Sequence, residues 1–331
     1  MEFLYQYGLF LAKAVTIVLA VAVIIGLVAG AAVSRAKPKK GQLEFTDLTA
    51  EYQQQTKELQ QHLFDKKAFK QWQKTEKAKP LENKARLFVV EFHGSMDARE
   101  ADALREEVSA ILAVAGRDDE VLLRLESGGG MVHGYGLAAS QLDRLRQQNI
   151  ALTVAVDKVA ASGGYMMACI GNKIIAAPFA FIGSIGVIAQ LPNFNRLLKQ
   201  HNVDFEQFTA GEYKRTVTLF GENTDKGRQK FQQELEQTHQ LFKRFVTEHR
   251  PQLDIDKVAS GEHWFGYQAV ELQLIDKIQT SDDYIMASLP QRRVVQVKYE
   301  LRKGIAEKVG LGSASIFSQW WQKLSQQHWL R

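Results

Sequence analysis

A mainly parallel α/β sheet covered by helices, preceded by a transmembrane helix and a helical stalk, is the architecture this sequence predicts. Three observations predict it. From Leu87 onward, apolar runs of strand length alternate with amphipathic helical stretches, the rhythm of a buried parallel sheet. Near the N-terminus Ala14 to Val33 carries no charge, and such a run is long enough to cross a bilayer as a helix. Between the two, the chain is rich in Gln, Lys and Glu, which suits a solvated helix rather than a core.

The 331 residues therefore divide into a transmembrane anchor over 1–34, a basic stalk over 35–85, a folded α/β domain over 86–290, and a C-terminal strand with a Trp-rich helix over 291–331. Ala29-Gly30-Ala31 resembles a signal-peptide cleavage site, but the apolar run is too long and only Lys13 is basic ahead of it. An uncleaved anchor is the expectation. In the stalk, TAEYQQQTKELQQHLFDKKAFKQWQKTEKAK fits one long polar helix that Pro80 ends.

In the α/β domain strands are expected at 87–92, 121–127, 151–156 and 173–177, with helices at 99–114 and 133–148 and a short one after Ser162. A Gly-rich bend at FIGSIGVI (181–188) follows, then a helix near 194–201 and a long amphipathic helix over 226–249. An α-rich stretch leads to a late strand at 294–301, and the tail SIFSQWWQKLSQQHWLR holds three tryptophans.

The net charge of +5 is concentrated in residues 35–86, leaving the folded domain close to neutral. A basic stretch beside a membrane span fits anionic headgroups, so membrane lipids are an expected partner. A near-neutral domain argues against nucleic acid. The single cysteine, Cys169, lies in an apolar run and reads as a core residue. No zinc spacing, Walker loop or EF-hand loop occurs in the sequence, so no metal and no cofactor is expected.

Three loops after predicted strands could carry chemistry, since α/β sheets place their sites there. Glu126-Ser127-Gly128-Gly129-Gly130 could aim amides at an oxyanion, or be an ordinary Gly-rich turn. In Ala160-Ala161-Ser162-Gly163-Gly164, Ser162 stands at a helix start, which suits an N-cap and a nucleophile equally. The elbow G-x-S-x-G is absent, because position 160 is Ala. Ala210-Gly211-Glu212-Tyr213-Lys214-Arg215 offers a lysine that is either a surface residue or a base. An unperturbed lysine is neutral about once in 2,500 at pH 7, so a base needs burial in an apolar site.

Together these motifs resemble the signal peptide peptidase A (SppA) family of membrane serine proteases, which use a Ser-Lys dyad on a crotonase/Clp-protease fold. The resemblance runs from the anchor to about residue 285. The family's A-S-G-G-Y stands intact at Ala161 to Tyr165, G-x-Y-K at Gly211 to Lys214, and G-S-I-G-V at Gly183 to Val187. It implies Ser162 as nucleophile, Lys214 as general base and acid, and Ser184 as the hydroxyl that orients the lysine. The family's N-S-P-G-G turn corresponds to 126–130, with Glu126 in place of Asn and Gly128 in place of Pro. That correspondence gives Gly129 and Gly163 the oxyanion amides. In the stretch 261–278, Gln273 stands where the family usually has glycine.

The resemblance implies a homo-oligomeric endopeptidase of the bacterial inner membrane, acting on signal-peptide remnants or other membrane-associated peptides. It places the catalytic domain in the periplasm, whereas Arg35, Lys37, Lys39 and Lys40 after the span point to the cytoplasm by the positive-inside rule. A catalytically silent peptide-binding scaffold of the same fold is the main alternative, and an acyl-CoA hydratase ranks behind it.

Overall fold

The computed structural model describes residues 41–77 and 85–300, with 2, 5–11, 13–18 and 20–21 ahead of them. Leu43–Tyr299 is one unit, and Met1–Gln42 with Glu300–Arg331 another. In the latter, the described residues between 2 and 21 are helical. No helix among the described residues is long and apolar enough to cross a membrane. The predicted span Ala14–Val33 lies largely outside the described residues, as do Pro80 and the Trp-rich tail.

The larger unit begins with strand β1 (Gln42–Asp47) and helices α1 (Leu48–Leu63) and α2 (Lys66–Lys77). Alternation follows: β2 (Arg86–His93), α3 (Ala101–Val114), β3 (Glu120–Glu126), α4 (Val132–Gln147), β4 (Ala151–Val156), β5 (Val159–Ala161), α5 (Gly163–Ala168), β6 (Lys173–Ala176) and β7 (Phe181–Gly183). Helices α6 (Asn195–Gln200), α7 (Asp225–His249) and α8 (Ile255–Val258) come next. The chain closes with β8 (His263–Phe265), α9 (Gly266–Glu271), β9 (Lys277–Ile278), α10 (Ser281–Ser288) and β10 (Arg293–Glu300).

One sheet has the order β1-β10-β2-β3-β4-β6-β9, and a smaller one has the order β5-β7-β8. The ladders from β10 through β9 are parallel. Alternation along the strands separates two apolar faces. Phe88, Val90, Leu123 and Val154 meet Leu104, Ile111, Leu142 and Leu145 of α3 and α4 on one side. Leu87, Val89, Leu122, Ala155 and Ile175 meet Ile285 of α10 on the other, with Leu48 and Tyr52 of α1 against them. Each such fully buried side chain contributes about 1.5–3 kcal/mol. The predicted mainly parallel α/β arrangement is present. Cys169 is fully buried, its thiol bonded to the Met166 carbonyl and its pKa pushed up to about 12, chiefly by burial.

The stretch read as a stalk differs. Residues 42–47 are a strand of the main sheet, not part of a polar helix. Asp47 caps α1 through the Ala50 N–H and pairs with Arg293, and Thr49 Oγ1 accepts the Val294 N–H at 2.8 Å. Residues 48–77 form two helices, because the Asp65 carboxylate accepts the Lys67 and Ala68 N–H groups and starts α2. An aspartate is worth more as a cap than within a helix. Strand β10, set apart with the C-terminal segment, likewise pairs with β2.

Two charged contacts fix the later elements. Arg250, only 3% exposed at the end of α7, makes bidentate bonds to Asp276 (2.8 and 3.0 Å) and a third to the Gln273 carbonyl. Asp276 also accepts the Ile174 N–H at the start of β6. Gln273 itself has φ 61, a conformation that glycine adopts at lower cost.

The second contact is Glu107 on α3, which accepts the Tyr299 N–H at 2.8 Å. Burial pushes its pKa up from 4.5 to about 7; the Tyr299 N–H and Lys298 oppose the shift and Glu91 adds to it. The folded state therefore holds this proton more tightly than the unfolded chain. That contribution is full below about pH 4.5 and is lost as pH rises through about 7. Denaturant unfolding at about pH 5 and pH 8 should show the wild type losing about 2–3 kcal/mol from this group. Glu107→Gln, which keeps the acceptor, should flatten the profile; an unchanged profile contradicts the assignment.

Candidate active site

Strand β5 pairs in parallel with β7, with Ala161 opposite Gly183. Ser162 and Ser184 therefore leave the two strands side by side. The Ser162 N–H donates to the Gly183 carbonyl at 2.8 Å, and the Ser184 N–H to the Glu262 carbonyl at 2.6 Å. Both serines hold left-handed backbone, φ 52 and φ 50. Each such residue costs about 1–3 kcal/mol and persists only where its surroundings enforce it. At Ser162 the chain turns from strand into α5, whose first bond runs from the Met166 N–H to the Ser162 carbonyl at 3.0 Å.

Ser162 occupies the N-cap position, but its side chain makes no capping bond. The expected double role is corrected: the Ser162 backbone is left-handed rather than in the extended conformation a capping residue takes. Among the described residues the Ser162 hydroxyl has no hydrogen-bond partner, and neither does the hydroxyl of Ser184.

The glycine turn after β3 lies directly on this elbow. Ser127 bridges Ala160: its N–H donates to Val159 and its carbonyl accepts from Ala161. Gly129 has φ 87, and a Cβ there would stand 2.7 Å from the Gly163 nitrogen and 2.8 Å from Ser162 Cβ. Only glycine permits that approach. The structure thus gathers Ser162, Gly163, Gly129 and Ser184. The Gly163 N–H has no acceptor among the described residues.

The Gly129 N–H is engaged, donating to Ser127 Oγ at 3.0 Å. Ser127 Oγ is 2.5 Å from the Tyr135 hydroxyl, which donates to the Ser95 carbonyl at 2.9 Å. Tyr135 has one proton and a carbonyl can only accept. Ser127 therefore donates to Tyr135 and takes the Gly129 N–H on its oxygen. Burial raises the Tyr135 pKa, the Ser127 bond opposing and Glu100 and Asp97 adding, so the phenol stays a donor. A Cβ on Gly163 would fall 2.4 Å from the Tyr135 ring. One tyrosine therefore backs both amides. Sequence reasoning missed it; the glycines flanking Tyr135 in HGYG were its only signal.

The two departures from the family turn are accommodated. Glu126 binds Lys158 Nζ at 2.9 and 3.1 Å and stands 3.6 Å from His93. At Gly128 a Cβ would meet no atom within 4 Å.

Beside Ser162 opens a pocket of about 410 Å³, lined by Ser162, Gly163, Met166, Val187, Phe242 and Phe245, among others. Its volume falls in the range of ligand sites. Helix α7 supplies Thr238, Leu241, Phe242 and Phe245, one stripe at helical spacing. That periodicity is legible in the sequence; the surface it covers is not. No titratable side chain lines the pocket.

Lys214 is not brought to this centre. It lies exposed in the irregular segment between α6 and α7, after Gly211 with φ 98. Its N–H donates to the Gly211 carbonyl at 3.2 Å, and its ammonium makes no bond to Ser162 or Ser184. The apolar burial a lysine base requires is absent in this arrangement.

Models of known families match the chain twice: Peptidase family S49 N-terminal over residues 2–142, and Peptidase family S49 over residues 144–294. It is 54% identical to the Probable protease SohB of Haemophilus influenzae, over 93% of this chain and 92% of that protein. It is 49% identical to the Probable protease SohB of Buchnera aphidicola, over 87% of this chain and 100% of that protein. A solved mutant of the 1510-N membrane-bound stomatin-specific protease with a substrate peptide superposes with a TM-score of 0.43 at 12% identity, covering 68% of this chain and 96% of that one.

The turn's geometry separates neighbouring glycines. Gly129→Ala should lower peptide hydrolysis by about 10²-fold or more, since the methyl displaces the elbow and an amide. Gly128→Ala should stay within about threefold of wild type and unfold no more easily. Equal losses in both, measured as kcat/KM beside thermal unfolding, would contradict the close approach at Gly129.

Proposed function

The chain belongs to peptidase family S49, and from that premise we propose that it is a membrane-anchored serine endopeptidase working through Ser162 and Lys214. The observation that carries the reading is Ser162, held at φ 52 with an unbonded hydroxyl beside an apolar pocket. Residues held in such strain by their surroundings cluster at reactive centres.

In this mechanism the neutral Lys214 amine takes the Ser162 hydroxyl proton as the oxygen attacks a peptide carbonyl. The Gly163 amide, free of any acceptor, and the Gly129 amide, turned from Ser127, receive the negative oxygen. Lys214 passes the proton to the leaving amine, and water repeats the relay on the acyl-enzyme. Ser184, next to Ser162 at the strand ends, orients the amine once it arrives. The segment carrying Lys214 closes over the site in a homo-oligomer, where its exposed apolar residues Val203, Phe205, Phe208 and Phe220 gain cover. The uncharged run Ala14–Val33 anchors the enzyme in the inner membrane, so membrane-associated peptides and signal-peptide remnants are its substrates.

A peptide-binding scaffold without turnover is favoured by one observation, the exposed position of Lys214. The same measurement separates the two readings. In the detergent-solubilised full chain, Ser162→Ala and Lys214→Ala should each reduce kcat by about 10⁴-fold or more with thermal unfolding unchanged. Wild-type turnover in either variant, or no turnover in the wild-type protein, rejects the dyad.

A further inference from the structure

Gly136 sits in the interior of α4 with no backbone reason to be glycine, since its φ is not left-handed. It has no packing reason either: a Cβ there would meet no atom within 4 Å. Two residues earlier, Gly134 shows the contrast, because a Cβ would lie 2.6 Å from the Asp97 carbonyl. Glycine within a helix destabilises it relative to alanine. What the missing side chain leaves open is the pocket beside Ser162, whose lining includes Gly136.

The pocket's walls come from three helices: Val132 and Gly136 on α4, Met166 on α5, and Leu241, Phe242 and Phe245 on α7. Their chemistry selects an uncharged apolar group. Ser162 and Gly163 both line it, and the carbonyl that Ser162 attacks and the Gly163 amide receives belongs to the residue on the acyl side of the bond to be cut, so that residue's side chain is the one beside the pocket. We propose that Gly136 sets the depth of this pocket and thereby admits large apolar residues, such as Leu and Phe, immediately before the scissile bond. The proposal rests on the protease reading above for its substrate, though not for the pocket itself.

The test uses the full chain with Gly136→Ala and Gly136→Leu. Peptides differing only in Ala, Leu or Phe before the cut report on cleavage. Gly136→Ala should raise the melting temperature by about 2–4 °C, the gain of replacing a helical glycine where space is free. Gly136→Leu should lower kcat/KM for Phe peptides about tenfold or more beyond any loss on Ala peptides. A lower melting temperature in Gly136→Ala, or an equal loss across all three peptides, overturns the proposal.

If the wild-type enzyme cleaves none of them, the protease reading fails and the pocket is judged by binding. Peptides ending in Phe or Ala are then titrated against Ser162→Ala and against the Ser162→Ala, Gly136→Leu double variant. Selective weakening of the Phe peptide supports the depth assignment, and equal affinity in both backgrounds overturns it.

Discussion

The parallel pairing of β5 with β7 is the constraint on which the site depends. It sets Ala161 opposite Gly183, and the bond from the Ser162 N–H to the Gly183 carbonyl then holds Ser162 in a backbone conformation that L-residues resist. Nothing local makes that geometry favourable. It persists because Gly129 lies against the elbow from one side and the Tyr135 ring lies behind Gly163 on the other. Any Cβ on those glycines would collide with backbone or ring, so the space around the serine is defined by what the sequence leaves out.

The same framework separates what is preformed from what must move. Elbow, pocket and one free amide are in place. The Gly129 amide is held by a chain of hydrogen bonds through Ser127 and Tyr135 to the Ser95 carbonyl, and such chains polarise one another. Gly129, at φ 87, gives that turn the freedom to release the amide when a stronger, charged acceptor develops. The lysine, by contrast, stands on an exposed irregular segment. In the proposed mechanism, assembly of the dyad is therefore a conformational event rather than a fixed feature of the fold, and conformational closure of this kind commonly completes catalytic sites.

Much of this was legible in the sequence, for identifiable reasons. The strands at β2, β3 and β4 announce themselves because both faces are buried and the residues are continuously apolar. Strand-end placement marked the loops at 126–130 and 160–164, while the grouping of Ser162, Ser184, Gly129 and Gly163 was implied by the family resemblance of their motifs. The stalk was misjudged because β1 has a mostly polar composition and earns its place through Thr49 and Asp47 contacts to a strand almost 250 residues away. The break at Asp65 was hidden for the opposite reason, since a polar helix and two polar helices share one composition. Tyr135, and the surface that the α7 stripe covers, needed tertiary contacts that no spacing encodes.

The central claim is that Ser162 is an activated nucleophile and Lys214 its base. A fluorophosphonate probe, followed by peptide mass mapping of the full chain in detergent, tests it most directly. The account predicts covalent modification at Ser162 that disappears in Lys214→Ala and stays absent in Lys214→Arg, whose guanidinium cannot lose its proton. Labelling of another residue, or labelling of Ser162 that is indifferent to Lys214, would contradict it.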